Sequence, residues 1–316
     1  MANLGYIQVT RQCNQLCRFC SNPPSGLENT LETACGHVDD FVARGYHGVI
    51  LTGGEPTMVP WLADLVRYAR KRDLHVRVIT NGQFLGEGTL LADLVAAGLR
   101  HVHVSLYSYR PELQDELARH PGSHANIVRT LERIAARDDV TADVNCVINH
   151  FNAGELDRNV RFVLERFPFV RHFVWNNLDP RMNRVAENPD TIPKLWELEL
   201  SLYRAMRLVD ESGRTFRVER VPLCYMVDYA HCSTETRKIV KEEERIVHFL
   251  DQKGFVRQAS GGFVHGKTDA CKLCTLDSIC AGLDGLGEFF DGAELYPVFV
   301  DPLPIIKRVR KEEGAG

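Results

Sequence analysis

Residues 5–20 read GYIQVTRQCNQLCRFC. The run Tyr6–Thr10 alternates as a strand does, and three cysteines, Cys13, Cys17 and Cys20, follow it within eight residues. Three thiolates so close can wrap a metal centre from a single loop. Soft thiolates suit iron–sulfur clusters or zinc. Three ligands rather than four leave one metal position open, as a catalytic centre requires. Spacing by itself leaves open a zinc site completed by a distant fourth ligand.

Beyond this loop the sequence keeps a steady rhythm. Short runs at Gly48–Thr52, His75–Thr80, His101–Tyr107, Thr141–His150 and Val170–Asn176 predict strands. Between them, Leu62, Leu65, Val66 and Ala69 share one helical face, as do Ile127, Leu131, Ile134 and Ala135, and Leu156, Val160, Val163 and Leu164. Six β–α units in sequence predict an α/β fold with a parallel sheet and helices outside it, because parallel strands need crossover connections. If that sheet rolls into a partial or full barrel, its chemistry belongs at the strand C-terminal ends. His101, His103, Ser105 and Tyr107 fall on one strand face and Val102, Val104 and Leu106 on the other, which predicts a polar interior. Asp143, Asn145 and Asn149 alternate in the same way with Val144, Cys146 and Ile148. That alternation turns Cys146 toward the helices as a packing residue, and Cys35 is read likewise.

After residue 180 the rhythm stops. Residues 192–210 predict a Leu-rich helix, residues 233–250 a solvated charged helix, and Phe255–Gln258 with Phe263–His265 a short hairpin about Ser260-Gly261-Gly262.

Composition sets limits. The 316 residues carry a net charge of −4, which offers no broad face for nucleic acid. No run of apolar residues is long enough to span a membrane, and the N-terminus lacks the apolar core of a secretory signal, so a cytoplasmic location is expected. Ten cysteines in a reducing compartment point away from disulfides. Their clustering points to metal ligation.

The spacing C-x3-C-x2-C resembles the signature of the radical S-adenosylmethionine (SAM) superfamily, and further residues extend the resemblance across 6–150. Phe19 matches the aromatic residue near the SAM adenine. Gly53-Gly54-Glu55-Pro56 matches the GGE motif, and Thr80-Asn81-Gly82 ends the third strand as in many members. Ser105 matches a position that contacts the ribose or carboxylate, and Asn145 on the next strand is assigned to the same cofactor. The resemblance implies a partial (β/α)6 TIM-like barrel over residues 1–180. It also implies a [4Fe–4S] cluster on Cys13, Cys17 and Cys20 whose open iron is chelated by SAM. Reductive cleavage would then release a 5′-deoxyadenosyl radical that abstracts a substrate hydrogen. Glycine carbonyls and the Glu55 carboxylate are expected to accept from the SAM ammonium.

A second cysteine group, Cys271, Cys274 and Cys280, lies downstream of Cys224 and Cys232. This order resembles the SPASM and twitch extensions that hold auxiliary clusters. No cysteine follows Cys280, and the usual glycine between the first pair is missing. Five thiolates cannot complete two four-cysteine clusters, so one auxiliary [4Fe–4S] cluster is expected. It would draw on Cys271, Cys274, Cys280 and one or both of Cys224 and Cys232. A structural zinc, or a cluster whose open iron binds substrate, remains an alternative. The division expected is 1–180 core, 181–223 helical connection and 224–316 auxiliary-cluster domain.

Such extensions accompany enzymes that crosslink or oxidise ribosomally made peptides, and a peptide is the expected substrate. The first strand begins near residue 6, leaving no room ahead of it for a leader-peptide-binding domain. A small molecule such as a sugar, nucleoside or amino-acid derivative is the alternative. A non-catalytic iron–sulfur protein is a third reading, opposed by the SAM-pocket matches. An electron donor such as flavodoxin or ferredoxin is implied. No general acid or base is assigned. Trp175 is read as core and Asn152 as the cap of the following helix.

Overall fold

The computed structural model describes residues 4–252, 254–258 and 265–311. In chain order the elements are β1 (Leu4–Thr10), α1 (Leu31–Ala43), β2 (Gly48–Gly53), α2 (Leu62–Arg70), β3 (His75–Thr80), α3 (Leu90–Ala96), β4 (His101–Ser105), α4 (Pro111–Ala118), α5 (Ser123–Ala135) and β5 (Thr141–Ile148). They continue through α6 (Leu156–Arg166), β6 (His172–Asn177), α7 (Asn183–Glu187), α8 (Leu195–Glu211), β7 (Thr215–Glu219), α9 (Thr234–Lys241), β8 (Arg245–His248), β9 (Val256–Gln258) and α10 (Pro302–Lys311). The chain divides into two compact units. One holds residues 1–145, 162–172 and 245–257, and the other holds 146–161, 173–244 and 258–316.

In the first unit the strands run in the order β5-β4-β3-β2-β1-β8-β9. β1 to β5 are parallel neighbours, with Ile7 opposite Leu51, Val49 opposite Val76, Val78 opposite Val102 and Ser105 opposite Asn145. The α/β class read from the sequence is therefore present, with an open parallel sheet. Valines explain the strands. Val49, Val76, Val78, Val102 and Val104 are all buried, each contributing about 1.5–3 kcal/mol when fully buried. Leu62, Leu65, Val66 and Ala69 of α2 are buried together, as their spacing requires.

In the second unit α8 buries Leu195, Leu198, Leu202, Ala205, Met206 and Val209. Trp175 is core as expected, packed against Phe173 and Phe216. Cys146 is buried and accepts from Asn152 Nδ2 at 3.6 Å and Asn159 Nδ2 at 3.9 Å, which fits its packing role.

Two expectations are corrected. The segment 233–250 is not one solvated helix. α9 ends at Lys241, where Glu242 takes a left-handed φ of 53°, and β8 follows as a strand parallel to β1, with Tyr6 opposite Val247. Only Ile246, Val247 and His248 are buried in this strand, and the charges upstream masked so short an apolar signal. Nor is α9 solvated, since Glu235, Thr236 and Lys238 are buried. Asn152 does not cap a helix. Its Oδ1 accepts from Asn149 N at 2.9 Å and its Nδ2 donates to the Val147 carbonyl at 2.9 Å, bracing the turn after β5. The second arm of the expected hairpin lies mostly outside the described residues. The described end of that arm, His265, donates its N–H to the Ala281 carbonyl at 2.6 Å. Among the described residues no helix is long and apolar enough to cross a membrane.

Candidate functional site

The turn after β1 carries Cys13, Cys17 and Cys20, and its backbone is held from two sides. At the end of α4 the carbonyls of Ala118 and Leu117 accept the N–H groups of Leu16 at 3.2 Å and Arg18 at 3.0 Å. At the end of β2, Gly54 N–H donates to Thr10 O at 2.6 Å and Glu55 N–H to Gln12 O at 2.7 Å. Side chains add to this hold. Gln15 Nε2 donates to Ser123 Oγ at 3.0 Å, and Asn81 Nδ2 to Asn14 Oδ1 at 2.8 Å.

This contact explains the two glycines. A Cβ on Gly53, at φ +138°, would stand 2.2 Å from Thr10 O, and one on Gly54 would stand 2.1 Å from Gln12 O. The close approach expected toward a ligand is here an approach to the backbone of residues 10–12. Glycine is required because any side chain would push the cysteine turn off the sheet. Glu55 is almost fully buried, and its carboxylate ties β2 to β3. Its Oε1 accepts from Thr57 N at 3.0 Å, from the Thr57 hydroxyl and from Thr80 Oγ1 at 2.7 Å. Its Oε2 accepts from Asn81 N at 2.7 Å. Burial pushes the Glu55 pKa up against the lowering effect of these bonds.

The three thiols are close enough to perturb one another. Burial first, then the neighbouring Cys20 and Cys13, pushes Cys17 up to about 12. Burial, with Glu55 and Cys20 adding to it, pushes Cys13 up to about 11. Asn81 Nδ2 lies 3.7 Å from Cys13 Sγ, and Tyr107 Oη lies 3.9 Å from Cys17 Sγ. Phe19 stands edge-on to Tyr107, with centroids 4.8 Å apart. Such a group is costly as free thiolates and suited to a metal, which deprotonates a coordinating thiol outright. Tyr107 is hydrogen-bonded to Ser105, and Ser105 pairs with Asn145 across β4 and β5. Asn145 Oδ1 is buried and has no hydrogen-bond partner among the described residues. A buried acceptor lacking a protein donor suits a ligand rich in donors, such as an ammonium group. The residues therefore fit both an iron–sulfur cluster and SAM.

Two to four residues before Ser105 and two before Asn145, on the same strands, further polar side chains cluster. His101 Nε2 lies 2.7 Å from Asp143 Oδ2, and the rings of His101 and His103 stack at 4.9 Å. Burial raises the Asp143 pKa, but the His101 hydrogen bond and nearby His103 outweigh it and hold the carboxyl below its ordinary value.

In the second unit, Cys224, Cys271, Cys274 and Cys280 line one small cavity with Leu223 and Tyr296. The loop is held by Thr236 Oγ1 of α9, which donates to Ile279 O at 2.9 Å, and by the Tyr296 hydroxyl, which donates to Cys224 O at 2.7 Å. Burial pushes Cys224 up to about 12, and Cys280 and Cys271 add to the effect. Cys232 is buried in the turn before α9 and is not among the residues lining this cavity. Four soft donors around one space fit a second cluster. Tyr296, the link between Cys224 and α8, escaped the sequence reading because no motif marks it.

Residues 7–163 match the radical SAM superfamily. A PqqA peptide cyclase from Ruegeria pomeroyi is 31% identical over 162 residues, which cover 50% of this chain and 43% of that protein. The chain thus spans less than half the length of that curated relative. Among solved structures, Streptococcus suis SuiB bound to S-adenosylmethionine aligns over 94% of this chain and 76% of its own, with a TM-score of 0.67 and 13% identity. The same protein bound to precursor peptide SuiA gives a TM-score of 0.65 over 90% of this chain and 72% of its own, at 14% identity. Native anSMEcpe with bound AdoMet aligns over 98% of this chain and 95% of its own, with a TM-score of 0.62 and 14% identity. At these identities the structural likenesses speak for the fold.

Proposed function

Because residues 7–163 place this chain in the radical SAM superfamily, we propose that it is an iron–sulfur enzyme that modifies a ribosomally made peptide. The observation that carries this reading is the cysteine turn clamped between α4 and the Gly53-Gly54-Glu55 end of β2. Cys13, Cys17 and Cys20 would hold a [4Fe–4S] cluster that, with SAM and one electron, supplies a 5′-deoxyadenosyl radical.

The chain's own residues bind, orient and exclude water. Asn145 Oδ1 accepts from the SAM ammonium, and Ser105 fixes the Tyr107 hydroxyl beside Cys17. Phe19 packs edge-on to Tyr107 and so steadies the hydroxyl that lies beside Cys17. Glu55 acts as a positioning residue, holding Thr80 and Asn81 so that Asn81 reaches Cys13. Cys224, Cys271, Cys274 and Cys280 would hold one auxiliary [4Fe–4S] cluster, with Cys232 left as a packing residue. On this reading residues 1–180 are the core, 181–223 the helical connection and 224–316 the auxiliary-cluster domain.

The peptide substrate is supported by the relative named a PqqA peptide cyclase and by the fold shared with SuiB, solved with its precursor peptide. The electron would come from a flavodoxin- or ferredoxin-type donor. Ten cysteines that form no disulfide among the described residues suit the reducing cytoplasm. The test is anaerobic reconstitution with iron and sulfide, then dithionite and SAM. The expected product is 5′-deoxyadenosine, lost in Cys17→Ala. A fully reconstituted protein that forms none would overturn the proposal.

A further inference from the structure

Helix α8 is apolar on two sides. Its inner face is the buried stripe Leu195, Leu198, Leu202, Ala205, Met206 and Val209. On the outer side Trp196, Leu200 and Tyr203 follow at i, i+4 and i+7, and they are 63%, 57% and 38% exposed. A surface helix normally presents charge there. Contiguous exposed apolar residues of this size mark a place where something binds. They form one wall of a cavity of about 470 Å³, and the segment Cys224–Asp228 forms the other. That volume lies within the range of ligand sites, about 300–1,000 Å³.

Two features say what fits. Among the described residues the charged members of the lining are Glu199 and Asp228, both acidic, with no lysine or arginine. Cys224 also lines the four-cysteine cavity. Tyr296, which lines the four-cysteine cavity, links the two linings, since its hydroxyl lies 3.0 Å from Glu199 Oε1 and 2.7 Å from Cys224 O. An occupant would therefore sit one residue away from the cysteines proposed to hold the auxiliary cluster.

We infer that this groove is a docking site for a peptide segment that carries apolar or aromatic anchors flanked by lysine or arginine. The inference rests on the peptide-modifying reading and places the substrate's contact on α8. Apolar side chains would lie against Trp196, Leu200 and Tyr203. A cationic side chain would reach Asp228 or Glu199 at the rim, where it sets register more than affinity.

Trp196 is itself the reporter. Reconstituted protein is titrated with the heptapeptide Lys-Leu-Phe-Lys-Leu-Phe-Lys, and with its counterpart bearing glutamate for each lysine, while Trp196 fluorescence is followed. The lysine peptide should bind and shift the emission to the blue, and the glutamate peptide should bind at least tenfold more weakly. Leu200→Ala with Tyr203→Ala should weaken the lysine peptide about 30-fold, as loss of a central anchor does. Asp228→Lys, at an exposed position that leaves packing intact, should reverse the preference between the two peptides. Equal binding of both peptides, binding of neither, or a preference unmoved by Asp228→Lys would overturn the inference. So would a dimer that dissociates in Leu200→Ala, since the groove would then be a contact between copies of this chain. SAM cleavage without peptide is measured on the same samples. Its absence in the wild type overturns the enzyme reading, whereas its presence beside failed docking overturns only the groove.

Discussion

Alanine at position 54 should cripple the protein, whereas alanine at position 36 should improve it. The added Cβ at 54 would meet Gln12 O at 2.1 Å and Gln12 C at 2.7 Å. Real Cβ contacts do not fall below 3.0 Å, so the backbone must open by 3.0 − 2.1 = 0.9 Å. Backbone rather than a flexible side chain must yield. The hydrogen bonds Gly54 N–Thr10 O and Glu55 N–Gln12 O, at 2.6 and 2.7 Å, would stretch to the edge of the bonding range. Two buried donors left unpaired cost about 1–3 kcal/mol each, and overpacking alone costs about the same. Gly54→Ala should thus lose about 3–9 kcal/mol, a fall of roughly 1–3 M in the urea midpoint for a slope of about 3 kcal/mol/M. Gly36 lies exposed in α1, where an added Cβ meets nothing within 4 Å. Gly36→Ala should gain about 0.5–1 kcal/mol. Urea unfolding by circular dichroism reads the stability of both variants. 5′-Deoxyadenosine formation after reconstitution reads the position of the cysteine turn. A Gly54→Ala protein with wild-type midpoint and wild-type SAM cleavage would refute the claim that the glycines seat the turn.

Three further outcomes are expected. The triple variant Cys13→Ala, Cys17→Ala, Cys20→Ala should keep visible iron–sulfur absorption after reconstitution. That absorption should vanish when Cys271→Ala is added and persist when Cys232→Ser is added, and iron content checks both. Asn145→Leu should weaken SAM binding by about 5- to 150-fold, the effect of about 1–3 kcal/mol for a lost buried acceptor, with little change in cluster absorption. A calorimetric titration of the reconstituted variant reads it, and unchanged affinity would remove Asn145 from the SAM site. Stability should also fall with acid through His37, which stacks on His248 at 4.0 Å. Burial, then the His248 charge, lowers the His37 pKa to about 4, below its unfolded value of about 6.5. The unfolded chain therefore binds the proton first, and stability is lost as pH falls from about 6.5 to 4. His37→Gln should flatten that slope in urea midpoints measured from pH 7 to 4.5, and an unchanged slope would refute the assignment.

How far the sequence reaches depends on the length of the signal. The β1–β5 strands and the stripes of α2 and α5 were legible because each repeats a period over several residues. β8 was not, because two apolar residues, Ile246 and Val247, behind a run of glutamates look like part of a charged helix until β1 supplies their partner. Asn152 was misread for a related reason. An asparagine before a helix usually caps it, and only the fold of the turn shows the side chain reaching back to Val147. The outer stripe of α8, at Trp196, Leu200 and Tyr203, was readable by spacing. A helix with two apolar stripes reads simply as Leu-rich, and the second stripe is hidden in that composition.

What the sequence by itself determined is the chemistry on offer. The spacing of Cys13, Cys17 and Cys20 after a strand, and of Cys271, Cys274 and Cys280, is local, and thiolate softness does not depend on the fold. Only the tertiary structure decided which partners meet. It brought Gly53 and Gly54 onto the backbone of Thr10–Gln12 and turned Glu55 to Thr80 and Asn81. It also gathered Cys224, rather than Cys232, with the last three cysteines. Those choices are made by contacts between residues tens of positions apart in the chain, and no local period encodes them.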